Sequence, residues 1–310
     1  MAADETKANL ERVLAALTAG EQDQPAAPAR ECATPASAEP ADAPQHNPAA
    51  LLYQAKIDIK QRCLAGAEAL MRAHDHGSGT LMPADASGQG ADDDMGRLIE
   101  QALVTTLRDW AIFNEAGFNL RLSINVPVHL LERLPIADIV AQHRPKTEAW
   151  PGLIVEVAED QIARDITRSV AIAEKLRASG IAVAIDDFGA GYSSFASLRE
   201  LAFAELKINR SFVTGCAAEP TNAAICQTAI DLAHRFGSAA VAEGIESVAD
   251  LQAMQIMGCD FGQGHLIAPP LATKEFMALL QQRMNKPRAP QAPAEPPADE
   301  QPRADVAASA

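Results

Sequence analysis

The chain has 310 residues, 48% of them hydrophobic, with 26 Lys plus Arg against 41 Asp plus Glu and a formal net charge of −15. Apolar content of this size suffices for one large or two smaller cores, and the negative balance argues against non-specific attraction to nucleic-acid polymers or anionic membranes. The cysteines (Cys32, Cys63, Cys216, Cys226, Cys259) are odd in number and lack C-x-x-C spacing, which predicts reduced thiols and a cytoplasmic chain; no run reaches the ~18 apolar residues of a membrane span, and no basic-then-apolar leader opens the sequence.

Residues 4–19 place Leu10, Val13, Leu14 and Leu17 at helical spacing before Gly20, which predicts a short amphipathic helix, either a partner-binding or dimerising segment or a frayed extension. From Glu21 to about Ala50 the composition is Ala, Pro and acidic or amide residues, too poor in large apolar side chains to pack, and the same composition returns from about Pro287. The expected organisation is a helix and disordered linker over 1–50, one folded unit over 51–285 and a disordered tail over 286–310.

Within the folded unit, strand and helix patterns alternate. Leu51 to Ile59 and Ala67 to Met71 read as strands. Ile99, Leu103, Leu107, Trp110 and Phe113 stripe a long helix closed near Gly117. Strands follow at Leu120 to Asn125 and Leu153 to Val157, then a helix striped by Ile166, Val170, Ala173 and Leu176 and stopped at Gly180. Ile181 to Ile185 is an apolar strand that ends in Asp186 and Asp187. Leu206 to Ile208 is a short strand bearing Lys207, Ile225 to Phe236 a helix, Ser238 to Ala242 a strand before Glu243, Ser247 to Met257 a helix, and Cys259 to Gln263 the last strand. Such units predict a parallel α/β architecture, and Glu68, Asn125, Glu156, Asp186, Lys207, Glu243 and Gln263, each in or just after a different strand, favour a TIM-type barrel over an open sheet, because a barrel gathers strand ends at one mouth.

Two adjacent carboxylates repel, so Asp186 and Asp187 at a buried strand end point to hard divalent cations, with a solvated turn as the plain alternative. Taken singly, Glu68 also reads as a surface carboxylate, Asn125 as a turn former, and Glu243 and Glu246 as first-turn helix carboxylates. The His74-Asp75-His76 cluster reads as a solvated loop.

The motifs E-A-L-M-R (68–72), S-I-N-V (123–126), E-V-A-E (156–159), D-D-F-G-A-G-Y-S-S (186–194), L-K-I-N (206–209), A-E-G-I-E (242–246) and G-Q-G (262–264) occur in order, and by them the chain resembles the EAL-domain cyclic-di-GMP phosphodiesterases over about Leu51 to Gln282. The resemblance implies a modified TIM (β/α)8-type barrel that hydrolyses cyclic di-GMP to linear pGpG. It implies two Mg²⁺ or Mn²⁺ ions on Glu68, Asn125, Glu156, Asp186, Asp187 and Glu243, and a homodimer through the barrel. By the same resemblance Glu68, Lys207, Glu243 and Gln263 are catalytic, Lys207 as cationic support or, if its pKa falls, as a base. Arg72 and Gln54 are substrate contacts, Glu159 holds the aspartate loop, and Glu246 and Asn209 lie behind the ligands.

This sequence departs from the family pattern in three places. Asn209 stands where L-K-I-D has aspartate, which is expected to alter the surroundings of Lys207. Ala55 replaces the proline of Y-Q-P, and residues 73–94 replace most of a conserved-type wall segment. The alternative function these departures leave open is a weak or silent module that binds cyclic di-GMP or a protein partner.

Overall fold

The computed structural model describes residues 49–75, 79–81, 89–190 and 198–284. The readings made for residues 1–48 and for the tail beyond 284, together with His76 and the loop residues 191–197, lie outside the described residues.

Strand β1 (Ala49–Asp58) turns into β2 (Cys63–Asp75), which pairs with a short β3 (Gly79–Leu81). After α1 (Gln89–Glu115) come β4 (Arg121–Asn125), α2 (Val128–Arg133), α3 (Ile136–His143) and β5 (Leu153–Ala158). Helices α4 (Glu159–Arg164) and α5 (Ile166–Ala178) lead to β6 (Ile181–Phe188) and β7 (Glu205–Ile208). Then follow α6 (Arg210–Val213), α7 (Pro220–Arg235), β8 (Ala239–Ala242), α8 (Val248–Ile256), β9 (Phe261–Gly262), β10 (Leu271–Ala272) and α9 (Thr273–Met284).

Strands β2, β4, β5, β6, β7, β8 and β9 pair in parallel in that order, and β1 closes the ring by pairing antiparallel with both β2 and β9. The result is the eight-stranded barrel with an outer layer of helices expected from the sequence, modified by one reversed strand. Strand β10 adds to the outer edge of β1.

Period-two alternation decides which side each residue faces. On β1, Tyr53, Ala55 and Ile57 are fully buried towards the helices, where the Tyr53 ring sits 5.2 Å from Phe113 of α1 and 5.6 Å from Phe276 of α9. The Tyr53 hydroxyl donates to the buried Asp109 carboxylate at 3.0 Å, and Thr273 donates to the same oxygen at 3.1 Å, which ties α1, β1 and α9 together. The intervening Gln54 and Lys56 face the interior. Lys56 crosses it to reach Glu205 of β7, a strand that is not a neighbour of β1.

Three expected boundaries change. Strand β2 runs on through Asp75, so His74 and Asp75 continue a strand opposite Thr80 and Gly79 instead of forming a loop. The last barrel strand shrinks to Phe261–Gly262, because only Val241 and Ala242 of β8 and the end of β1 pair with it. Helix α8 begins at Val248, capped by the Ser247 hydroxyl on the Asp250 N–H, so Glu243 and Glu246 precede it and are not first-turn residues.

Candidate active site at the barrel mouth

Lys207 is the centre of the interior polar cluster. It is 1% exposed, and its ammonium lies 3.3 Å from Glu68 Oε2, 2.9 Å from Asp186 Oδ1 and 2.8 Å from Glu243 Oε1, with Glu156 Oε2 in contact as well. These carboxylates come from β2, β5, β6 and the residue after β8; Glu68 is opposite Ser123, Asn125 opposite Glu156 and Ala158 opposite Asp186, so the site positions climb two residues from β2 to β4 and again from β5 to β6, the stagger that tilted barrel strands need to gather them at one mouth. Gln263 donates to Glu68 Oε2 and to Glu243 Oε1, both at 2.8 Å, and Asn125 donates to Glu68 Oε1 at 2.6 Å.

The glycines around Gln263 have a steric cause. A Cβ on Gly264 would lie 2.3 Å from both the N and the O of Ile245, and the Ile245 N–H donates to the Gln263 carbonyl at 3.1 Å. The G-Q-G sequence therefore lets the strand approach the 243–246 turn closely enough for the amide to reach two carboxylates.

Exposure rises across the cluster, from 1% for the Glu156 side chain and 6% for Glu68 to 15% for Glu243 and 16% for Asp186. Asp187, next in sequence, is exposed. The open side is thus formed by Asp186, Asp187 and Glu243, each with an oxygen within 4.8 Å of the others.

The remaining expected site residues fall into two groups. Glu159 accepts from the Gly189 N–H at 2.9 Å and so touches the turn after β6. Asn209 donates to Asp187 Oδ1 at 2.7 Å. Gln54 sits opposite Glu68 in the β1–β2 register but bonds the Ala268 carbonyl at 3.5 Å. Glu246 is exposed. Arg72 is placed by its backbone on β2, opposite Ala50, and its side chain lies outside the described residues. Sequence reading missed the interior pair Lys56 and Glu205, although their parity with Gln54 and Lys207 on alternating strands was an available signal.

Four carboxylates thus contact one ammonium, and Asp187 adds a fifth on the open side. Burial pushes the Glu243 carboxyl up to about 8, against the pull of Lys207. Burial and the Glu68 charge hold Glu156 well above the usual carboxylate range. Burial and Asp186 raise Asp187. For Glu68 burial acts in the same sense, but Lys207, Gln263 and Asn125 outweigh it and the carboxyl is lowered. Lys207 is raised well above its ordinary value because Glu156, Glu243, Glu68 and Asp186 together overcome the cost of burial. One oxygen, Glu156 Oε1, is buried without a hydrogen-bond partner among the described residues. Surplus negative charge, carboxyls that burial disfavours as anions, an orphaned oxygen and an all-oxygen donor set fit hard divalent cations.

Comparison with known proteins agrees. A family model described as the EAL domain matches residues 39–270. The chain is 31% identical over 236 residues to the cyclic di-GMP phosphodiesterase PA2567 of Pseudomonas aeruginosa, covering 73% of this chain and 39% of that protein. It is 32% identical over 234 residues to the cyclic di-GMP phosphodiesterase NbdA of the same organism, covering 73% and 30%. The solved PaMucR phosphodiesterase in complex with c-di-GMP superposes with a TM-score of 0.64 at 28% identity, over 74% of this chain and 94% of that one. The chain therefore spans well under half the length of these two curated relatives. With the family model matching most of its length and the barrel matching a solved member, the chain belongs to the EAL domain family.

Proposed function

We propose that the barrel mouth hydrolyses one phosphodiester bond of cyclic di-GMP to give linear pGpG, and that it does so with two divalent ions, Mg²⁺ or Mn²⁺. The observation that carries this reading is the charge imbalance: a cluster of five carboxylates, four of them on a single ammonium, with one buried oxygen left unpartnered among the described residues. Glu68, Asn125, Glu156, Asp186, Asp187 and Glu243 would hold the ions. Bound there, the ions would supply positive charge to the scissile phosphate and to the attacking water, which a chain of net charge −15 otherwise lacks.

The chain's own residues do the rest. Lys207, held against Glu68, Asp186 and Glu243, serves as fixed positive charge in preference to a base. Gln263 holds Glu68 and Glu243 in one orientation. Asn125 commits its N–H to Glu68, which leaves its carbonyl oxygen as the atom that would face an ion. Glu159 restrains the turn carrying the aspartates. Arg72 and Gln54 are the proposed contacts to the dinucleotide, where an arginine fork suits a phosphate. In the balanced reaction water adds to phosphorus, one P–O bond breaks, and the departing oxygen takes a proton.

The test is incubation of the purified chain with cyclic di-GMP and Mn²⁺ or Mg²⁺, with chelator and with Glu68→Ala as controls. Linear pGpG is expected only with the metal and the intact glutamate. Binding of cyclic di-GMP without any linear product at high protein concentration overturns the hydrolase reading and leaves a binding module.

A further inference from the structure

The turn after β6 is held from several sides by residues distant in sequence. Asp187 adopts φ +56, a left-handed conformation that costs a residue with a Cβ. Its own N–H donates to Asp186 Oδ1 at 3.0 Å, and its Oδ1 accepts from Asn209 Nδ2 at 2.7 Å. Gly189, at φ +97, has its N–H on Glu159, and a Cβ there would lie 2.8 Å from the Phe212 ring. Asn209 itself is not free to rotate. Its Oδ1 accepts from the Ser211 N–H at 2.8 Å and the Ser211 hydroxyl at 2.7 Å, and its N–H donates to the Phe188 carbonyl at 3.2 Å. With the oxygen committed to Ser211, the amide nitrogen must face Asp187.

We propose that Asn209 is a positioning residue that fixes the Asp187 carboxylate with an amide where a carboxylate would need a cation, so that in this chain the turn keeps its shape whether or not divalent ions are bound. This rests on the metal-holding reading of the mouth given above. Two carboxylate oxygens 2.7 Å apart require a positive charge or a proton between them; an amide donor requires neither. Aspartate at position 209 would keep the contact to Ser211, because a carboxylate oxygen accepts from the same groups. It would also set its second oxygen against Asp187 Oδ1. In a chain of that kind, ion binding and turn stability are linked, each favouring the other. Here the link is cut at one hydrogen bond, and the ions meet an aspartate already oriented but with one negative charge fewer beside it.

The experiment compares the full-length wild type with Asn209→Asp and Asn209→Ser, the latter keeping a hydroxyl acceptor for Ser211 while removing the amide. Thermal melts are recorded at pH 8, above the ordinary aspartate range, after chelation and again with saturating Mn²⁺. Mn²⁺ affinity of the chelator-free proteins is read by titration calorimetry. Asn209→Asp is expected to melt below wild type without metal and to gain about 3 °C more from Mn²⁺ than wild type gains. Asn209→Ser is expected to bind Mn²⁺ about tenfold more weakly, the loss typical of removing a residue that orients a ligand. Equal Mn²⁺ shifts for wild type and Asn209→Asp, with wild type binding Mn²⁺, overturn the inference and leave the metal-holding reading standing. No Mn²⁺ uptake by wild type overturns that reading and the inference with it. If Asn209→Asp folds only with Mn²⁺ the inference is supported; if it folds under neither condition, Asn209→Ser decides, and an unchanged affinity there overturns it.

Discussion

Two groups of buried charge occupy the same barrel interior, and they are built differently. Lower in the barrel, Lys56 meets both oxygens of Glu205 at 2.8 and 2.6 Å, with side chains only 4% and 5% exposed. One cation balances one anion, and the Phe261 ring lies 5.6 Å from the ammonium. Glycine at 66 is required first by the next strand, since a Cβ there would lie 2.3 Å from the Arg121 carbonyl oxygen, and it also leaves room for the lysine stem, with Lys56 Cε at 3.3 Å. Two residues further along the same face of β7, Lys207 faces an excess of carboxylates. The lower pair is closed to any further ligand by its own neutrality, whereas the upper cluster is left short of positive charge on its open side. Net charge per cluster, more than the presence of charge, separates a structural ion pair from a site.

That contrast predicts opposite responses to mutation. Glu156→Gln is expected to lower turnover about a thousandfold, comparable to losing a major electrostatic contact in an active site, while its melting temperature without metal stays at or above wild type, because the charge removed is one that burial and Glu68 disfavour. A melting temperature well below wild type would show that the upper carboxylates serve stability after all. Lys56→Met is expected to do the reverse. It strands a buried Glu205 carboxylate at a cost of about 3–5 kcal/mol, measured by chemical denaturation. The double variant Lys56→Met/Glu205→Leu, which removes both charges, is expected to regain most of that stability and to keep turnover within about twofold of wild type. Turnover that collapses in a stable double variant would make the lower pair part of the site and dissolve the comparison.

The upper cluster was legible in the sequence because its members sit within or directly after apolar runs: Glu156 inside L-I-V-E-V-A, Asp186 after I-A-V-A-I, Lys207 between Leu206 and Ile208, Glu243 after A-V-A. A barrel turns such positions into neighbours without any further information. Strand direction was not legible, since alternation in Tyr53 to Ile57 is the same whichever way β1 runs, and its reversal follows from the tight turn joining it to β2. Strands of two or three residues, β3, β9 and β10, exist only through their partners and carry no periodicity of their own. Lys56 and Glu205 share interior parity in the sequence, yet their contact spans 149 residues and appears only once the ring has closed. Asn209 was identified as a departure, but its bond to Asp187 depends on a left-handed turn that the letters D-D-F-G do not specify.

A third, more exposed charge group tests the comparison at its weak end. At the base of the barrel, Asp260 accepts from Lys60 at 2.8 Å, from the Ala240 N–H at 2.9 Å and from His234 at 2.7 Å. Burial alone would raise its carboxyl, but these three partners hold it below the usual value. A depressed folded pKa means that Asp260 adds stability above the unfolded carboxylate value of about 4 and that this contribution is lost as pH falls through the folded value. Asp260→Asn should therefore lower stability at neutral pH by about 1 kcal/mol, the net size of one well-made hydrogen-bonding group, and narrow its gap to wild type on acidification. Denaturant titrations at pH 7 and pH 3 measure that gap. A gap equal at both would mean that Asp260 acts through shape alone. Turnover should not change in either case, because the group is neutralised by its own partners, as Lys56 and Glu205 are, and lies at the end of the barrel away from Lys207.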